Sequence, residues 1–568
     1  MPSNCRFILS STVHFWYAGL VTSLRLSARA LENLLGEWRT GSATTYVALA
    51  DRIRLLSLDG RIPGGSRLPA ERELAARLSL SRSTIGAAYA HLRESGYVES
   101  IRGSGSVTRY QPPATTHAGF HIGLGDDVDG DFSGGFSGDF TTEFGSGFAD
   151  EASDEFDVIA EHFVSGEAGS QRATAIDSSQ RDQRTRQTPP LPAFDSMLNF
   201  TQAALPAASE VNEALQLAAA EIGPFLKTTG FEPFGLPALR QAIADRYRER
   251  GLPTHPDEIL VTSGALSGLS LIARTLISRG DRAIIESPTY PHAADALAAA
   301  GARLVPVAVT VGEGWDEDAF TQALVRTAPT VAYIMPDFHN PTGETMSNDF
   351  RRRLVDAAQR AGTVLIADET TAELNIDRAD NDSFAPLASF GDAIMLGSAA
   401  KTLWGGLRIG WIRAPRTMIR RLLGTRAFTD IGTPLLEQLA ATHLIRQTAA
   451  ILPERQKVLR AGRDLVRETL AVTLPDWQLP AISGGLCLWA KMPRAASSQL
   501  VLNLRARAIL MNAGPRFGID GAFERFLRIP TSYSPADTYR ALDALQHTWH
   551  DLNGRPLTPE LPSFAEMV

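Results

Sequence analysis

Cysteine is nearly absent. The 568 residues hold two, Cys5 and Cys487. So sparse and distant a pair excludes a disulfide framework and a cysteine metal cluster, and it suits a reducing compartment, the cytoplasm. Long apolar runs are absent too: none reaches the roughly 18 residues that span a bilayer. The stretch "FILSSTVHFWYAGLVTSL" (7–24) lacks the strong apolar centre and small-residue cleavage site of a signal peptide, and reads as an N-terminal extension. No segment repeats at solenoid period. A basic character is also missing overall, since the net charge is -8.

That last absence is an average over unlike parts. Residues 45–110 contain ten Arg, no Lys and six Asp or Glu, hence +4. Residues 111–198 contain four Arg and sixteen Asp or Glu, hence -12. A basic head precedes an acidic connector, and contact with nucleic acid depends on local charge. The length calls for several units. These divide as an extension with a short helix (1–44), a compact unit (45–110), a connector (111–195), a long alternating unit (196–555) and a tail (556–568). Hydrophobic residues at 44% and charged residues at 21% are those of a soluble globular protein.

The connector places Phe132, Phe136, Phe140, Phe144 and Phe148 four residues apart. Glycines between them cost about 1 kcal/mol each in a helix, so the stretch reads as a flexible, acidic, low-complexity linker.

In the compact unit, Tyr46, Leu49, Ala50, Ile53 and Leu56 share one helical face. A second helix turns Leu74, Ala75 and Leu78 inward. After the turn "SLS", Ser81 can cap a third helix, whose inward residues are Ile85, Ala88, Tyr89 and Leu92. Ser81, Arg82, Ser83 and Gly86 then face outward at its N-terminus, the end that enters the major groove in a helix-turn-helix. "YVESIRGSGSVTRY" (97–110) reads as two short strands, a wing. The series Leu68-Pro69, Glu71-Arg72, Leu74-Ala75, Ser81-Arg82, Tyr89, Leu92, Gly96-Tyr97 and Gly103 resembles the winged helix-turn-helix of GntR-type regulators. The resemblance implies that Arg72 and Arg82 read bases or nearby phosphates. It implies that Ser81, Ser83 and Thr84 fix register, and that Arg102 and Gly103 carry the wing onto operator DNA. Gly86 departs from relatives with an arginine there, which bears on the operator sequence.

From 196 onward helices alternate with β-branched runs: "EILVT" (258–262), "RAIIE" (282–286), "VAYIM" (331–335), "TVLIA" (363–367) and "AIML" (393–396). This is the pattern of a doubly wound α/β fold with parallel strands. Strand ends carry a set of polar and glycine residues that singly would be structural. "VTSGALSG" offers the backbone N–H groups of Gly264, Ala265 and Leu266 to a phosphate. "ESPTYP" offers Tyr290 as a stacking ring. "PDFHNPTGET" offers Asn340, with an Asn340–Pro341 bond open to the cis form. "LIADET" offers Asp368 to a protonated ring nitrogen. "GSAAKTLWGGLRIG" offers Ser398, Lys401 and Arg408. No metal-ligand pattern is present.

In this order the set resembles fold-type I, class I aminotransferases over about 199–550, with a large and a small lobe. The resemblance implies pyridoxal 5'-phosphate as cofactor. It implies a Schiff base on Lys401 and a ligand carboxylate held by Arg528 of "FLRIPTSY". One departure concerns turnover. Thr370 and Thr371 stand where the family has a tyrosine that bonds the cofactor's ring oxygen.

A GntR-type head before an aminotransferase-like body resembles the MocR/GabR-type transcriptional regulators. That resemblance implies a head-to-tail homodimer and a sensed amine, amino acid or the vitamin itself, with no membrane contact and at most a partial or slow transamination. As a flexible coil, the connector's span of roughly 50 Å is enough for a head to reach a partner's body. An active aminotransferase with an autoregulatory head is the alternative. A regulator that has lost its cofactor is a third reading, opposed by the intact Asp368, Lys401 and Arg408.

Overall fold

The computed structural model describes residues 25–36, 38–39, 44–58, 61–101, 105–109, 197–377, 385–519 and 521–554. The Phe-rich stretch, Arg102, Gly103, the N-terminal extension to residue 24 and the tail 556–568 lie outside them.

The head contains α1 (Ala28–Leu35), α2 (Thr45–Leu58), α3 (Glu71–Leu78), α4 (Arg82–Glu94) and the antiparallel pair β1 (Val98–Ile101) and β2 (Gly105–Thr108). Ser27 and Ser81 cap α1 and α4, each accepting from a backbone N–H three residues on. Ser79, at φ 54°, ends α3 and makes the tight turn between the two helices. The head core joins the expected Leu49, Ile53, Leu56, Leu74, Ile85, Tyr89 and Leu92 to Leu31, Leu35 and Trp38. The head therefore extends upstream of residue 45: α1 is one of its packed helices. Tyr89 donates its hydroxyl to Pro69 O (2.9 Å), so this buried phenol is satisfied.

The body runs β3 (Leu198–Asn199), α5 (Val211–Glu221), α6 (Pro237–Glu249), β4 (Ile259–Thr262), α7 (Ala265–Leu276), β5 (Arg282–Ser287), α8 (Pro291–Ala299) and β6 (Arg303–Thr310). There follow β7 (Gly314–Trp315), α9 (Glu317–Thr327), β8 (Val331–Ile334), α10 (Asn348–Ala361), β9 (Val364–Asp368), β10 (Ile394–Ser398), α11 (Ala399–Thr402) and β11 (Gly410–Arg413). The chain then forms α12 (Arg416–Arg426), α13 (Leu435–Arg446), α14 (Thr448–Thr473), β12 (Cys487–Lys491), α15 (Ser497–Arg505), β13 (Ile509–Leu510), β14 (Asn512–Ala513), β15 (Phe526–Pro530) and α16 (Pro535–Gly554).

The large lobe's sheet has the order β4-β11-β10-β9-β8-β5-β6-β7. Its centre is parallel, as expected, but β11 runs antiparallel between β4 and β10, and β7 antiparallel to β6. Adjacent residues face opposite sides of the sheet: Ile259 and Val261 join one core, Leu260 the other. In the small lobe, β12-β15-β14 pack with α15 and α16 around Trp477, Leu488, Leu527 and Leu545.

The 26-residue α14 joins the lobes. Ile451 lies in a large-lobe core and Val466 and Leu470 in that of the small lobe. Pro453 sits inside this helix, and Arg455 donates to the carbonyls of Thr402, Leu403 and Pro206. A Cβ on Gly462 would lie 2.0 Å from Thr531 O, so helix and strand end meet backbone to backbone.

The head rests on the body through α2 and α15. Arg52 is buried, and its Nη1 lies 3.7 Å from Glu524 Oε1. Arg61 Nη2 donates to the carbonyls of Pro515 (2.7 Å), Arg516 (2.9 Å) and Gly518 (3.1 Å).

Candidate functional site

The candidate residues of the body gather where the parallel strands end at their carboxyl sides, the usual ligand position of an open α/β sheet. Register ties one of them, Ser398, to its neighbours: Ser398 pairs with Gly410, and Gly410 with Thr262. Gly410 is obligatory there, because a Cβ would come within 2.5 Å of the Gly264 carbonyl carbon and 2.6 Å of Ala265 N. That close approach brings β11 against the turn that opens α7.

The turn presents hydrogen-bond donors. Gly264 is the N-cap of α7 at φ 101°, with no side chain capping the helix. The first intrahelical bond within α7 runs from Gly268 N to Gly264 O. The N–H groups of Ala265, Leu266 and Ser267 therefore point outward from a positive helix end. Arg408, itself at φ 52°, donates to Ser263 O (3.2 Å). Its guanidinium would be 2.8 Å from a Cβ on Gly264. Ser398 caps α11 and donates to Ile409 O (3.3 Å). Backbone N–H groups, a hydroxyl and a guanidinium are the donor set of a phosphate site.

Lys401 lies on α11, and its Nζ donates to Ala203 O at 2.7 Å. Burial, and then the positive charge of Arg528, hold its amine down to about 8 against the ordinary 10.5. Asp368 ends β9. One carboxylate oxygen accepts from Tyr333 Oη (2.6 Å) and the other from Thr370 N (2.9 Å). Burial pushes this carboxyl above its ordinary value, and the Tyr333 hydroxyl opposes the shift. A buried carboxylate with neutral donors on both oxygens suits a cationic ring nitrogen.

Tyr290 immediately precedes α8, and burial raises its phenol. Asn340 precedes a cis peptide bond to Pro341, as the sequence allowed. Cys487 Sγ donates to Asn340 Oδ1 at 3.8 Å, which puts the buried thiol beside the same site. Arg528 is central on β15, with Trp489 and Asn512 as strand partners. It is buried, its guanidinium lies 4.9 Å over the Phe517 ring, and among the described residues its Nε has no hydrogen-bond partner. Its Nη2 donates to Thr201 O, which also accepts from Asn512 Nδ2 (3.1 Å). Backbone carbonyls of the strap 199–205 thus accept from two cations of the cleft, Arg528 through Thr201 and Lys401 through Ala203.

Residue patterns did not expose three parts of this arrangement. The strap has no motif. Cys487 entered only as one of two distant cysteines. Tyr333 entered only within the strand run "VAYIM", although a buried tyrosine in an aliphatic run needs a partner for its hydroxyl. Thr371 donates its hydroxyl to Asp337 O (2.8 Å) and is thereby committed away from any cofactor oxygen.

In the head, Ser81, Arg82 and Ser83 are exposed at the N-terminus of α4, with Thr84 half-buried behind them. Arg82 Nε lies 3.5 Å from Glu71 Oε2, and Arg72 is exposed on α3. Arg102 and Gly103 lie outside the described residues. Among the described residues, no group of His, Cys, Asp or Glu could hold a metal ion.

The family of class I and II aminotransferases matches residues 196–545. The gntR family of bacterial regulatory proteins matches 45–107. The chain is 26% identical, over 479 residues, to the probable rhizopine catabolism regulatory protein MocR of Rhizobium meliloti, covering 82% of this chain and 85% of that one. It is 29% identical over 326 residues to the HTH-type transcriptional regulator YisV of Bacillus subtilis, covering 55% of this chain and 65% of the relative, just under two thirds of its length. Among solved structures, LysN, the α-aminoadipate aminotransferase of Thermus thermophilus in complex with N-(5'-phosphopyridoxyl)-L-leucine, superposes with a TM-score of 0.57 at 25% identity. That likeness covers 63% of this chain and 93% of LysN.

Proposed function

The chain belongs to the class I and II aminotransferase family and carries a gntR-family head, and from that premise we propose that it is a pyridoxal-phosphate-dependent, DNA-binding transcriptional regulator that senses an amine or amino acid. The observation that carries the reading is the pairing of an exposed helix-turn-helix N-terminus with a cleft holding Lys401, Asp368, Arg408 and Arg528 together.

Bound there, pyridoxal phosphate supplies an aldehyde carbon and an electron-accepting ring. Gly264, Ala265, Leu266, Ser398 and Arg408 would hold its phosphate. Asp368, oriented by Tyr333, would serve the ring nitrogen, Tyr290 would stack on the ring, and Asn340 would bond the ring oxygen. Lys401 provides the amine that retains it, and its lowered affinity for protons keeps a useful fraction neutral near pH 7. An incoming amino acid presents a carboxylate to Arg528. It replaces the neutral Thr201 carbonyl with a charged, bidentate partner, and charge-assisted bonds are roughly twice as strong as neutral ones. The strap must then yield. The threonines after Asp368 leave no phenol at that position, which favours sensing over fast turnover.

The head reads operator DNA through Arg72, Ser81, Arg82, Ser83 and Thr84, with Arg102 and Gly103 on the wing. A head-to-tail homodimer is the assembly we propose. Leu226 (75% exposed), Phe231 (64%) and Phe428 (89%) support an association surface. The segments that bear these residues meet where Arg426 donates to Pro233 O. No described helix is long and apolar enough to cross a membrane; we place the protein in the cytoplasm.

The test is the visible absorbance of purified protein supplied with pyridoxal phosphate. A band that shifts with a candidate amine, is lost in Lys401→Ala, and is accompanied by a change in DNA affinity is expected. No band even with added cofactor refutes the reading. Rapid multiple turnover with a keto acid favours the aminotransferase instead.

A further inference from the structure

One short turn touches both the head and the cleft. Residues Gly514–Phe517 form a single 3-10 turn, closed by Gly518 N donating to Pro515 O at 3.4 Å. The head supplies a partner: one nitrogen of Arg61 donates to Pro515, Arg516 and Gly518 carbonyls at 2.7–3.1 Å. A cation against the negative end of a turn is favourable in charge as well as in hydrogen bonding.

The opposite side of the turn faces the ligand site. The Phe517 ring lies under the Arg528 guanidinium at 4.9 Å. Phe517 O accepts from Thr289 N (2.9 Å), the residue before Tyr290. Arg516 reaches Asp295 (3.2 Å) on α8, the helix that Tyr290 opens. The turn has no slack. A Cβ on Gly514 would meet Phe523 O at 2.0 Å and Phe526 O at 2.4 Å. A turn so confined moves as a unit, and a shift on one side is delivered to the other.

We infer that Arg61 of the head is a positioning residue of the effector site, setting Phe517 beneath Arg528 and Thr289 beside Tyr290, so that carboxylate occupancy and head placement are linked through this turn. The inference deepens the regulator reading and rests on it for the identity of Arg528 as carboxylate receptor. Linkage is reciprocal: what the head feels of the ligand, the ligand site feels of the head.

The experiment uses the full-length, cofactor-loaded protein and Arg61→Ala and Arg61→Lys variants. The first readout is amide hydrogen exchange at Thr289, without ligand. Faster exchange in Arg61→Ala, with a partial return in Arg61→Lys, is expected. Exchange that rises only in head segments overturns the inference. The second readout is the affinity for propionate, a carboxylate with no amine, followed by the cofactor's absorbance. Arg61→Ala should weaken it on the order of threefold to tenfold, inside the range of coupling seen for residues outside a site. Unaltered propionate affinity overturns the linkage. If propionate fails to bind the wild type, or binds Arg528→Gln equally well, the carboxylate-receptor assignment fails instead, and Thr289 exchange still decides the role of Arg61.

Discussion

Cofactor capture by Lys401 should follow pH with its midpoint near 8. The neutral amine attacks the aldehyde, so the rate tracks the deprotonated fraction. An ordinary lysine at 10.5 is about 0.03% neutral at pH 7, whereas an amine at about 8 is about 10% neutral, a gain of about 300-fold. The sign follows from the causes. Burial disfavours the charged ammonium, Arg528 adds a like charge, and Asp368 opposes both. Below the midpoint the rate should fall about tenfold per pH unit as protons occupy Nζ. Stopped-flow mixing of cofactor-free protein with pyridoxal phosphate, read by visible absorbance between about pH 6 and 10, measures it. Arg528→Gln removes the neighbouring positive charge, so the midpoint should rise and capture at pH 7 should slow. A midpoint near that of a free lysine, or one that falls in Arg528→Gln, would refute the account of how the cleft activates Lys401.

Three further outcomes are expected. Gly264→Ala places a methyl 2.8 Å from the Arg408 guanidinium on a backbone at φ 101°, and should weaken pyridoxal phosphate binding by about 1–3 kcal/mol in an equilibrium titration; unchanged affinity contradicts the phosphate cradle. Tyr333→Phe deletes a buried hydrogen bond to a carboxylate, and should cost about 1.5–3 kcal/mol in denaturant unfolding of the loaded protein; a neutral result means Asp368 is held by other contacts. Arg82→Ala should lose about 1–3 kcal/mol of discrimination between operator and random duplex, measured by competition binding, while leaving the cofactor spectrum untouched.

Much of the site was legible because its chemistry is local to short motifs at strand ends. Gly264, Asp368 and Lys401 each lie at or within a few residues of the carboxyl end of a strand run, where an open sheet presents its ligand site. The helix-turn-helix was readable for a similar reason: its inward residues recur at helical spacing and Ser81 caps the right helix. What stayed hidden depends on tertiary contact. Nothing in "NFTQAALP" marks backbone carbonyls that will satisfy Arg528 and Lys401, because carbonyls are common to all residues. The antiparallel insertion of β11 is equally silent, since strand direction leaves no periodicity of its own. Arg52 lies on a helix that is apolar around most of its circumference, and only the body packed against it explains why that helix has no clean polar face.

The helix that joins the lobes sets how they can move. Anchored in both cores, α14 behaves as a beam clamped at its ends, and lobe closure has to bend it. Bending concentrates where stiffness is least. Pro453 has no N–H to offer the Ala449 carbonyl, so the beam is softest there, two residues before Arg455, whose guanidinium holds the end of α11 and Pro206 just past the strap. Farther along, Gly462 bears directly on Thr531, three residues beyond Arg528. Flexure at 453 therefore has its lever arm on the carboxylate side of the cleft and its fulcrum on the lysine side.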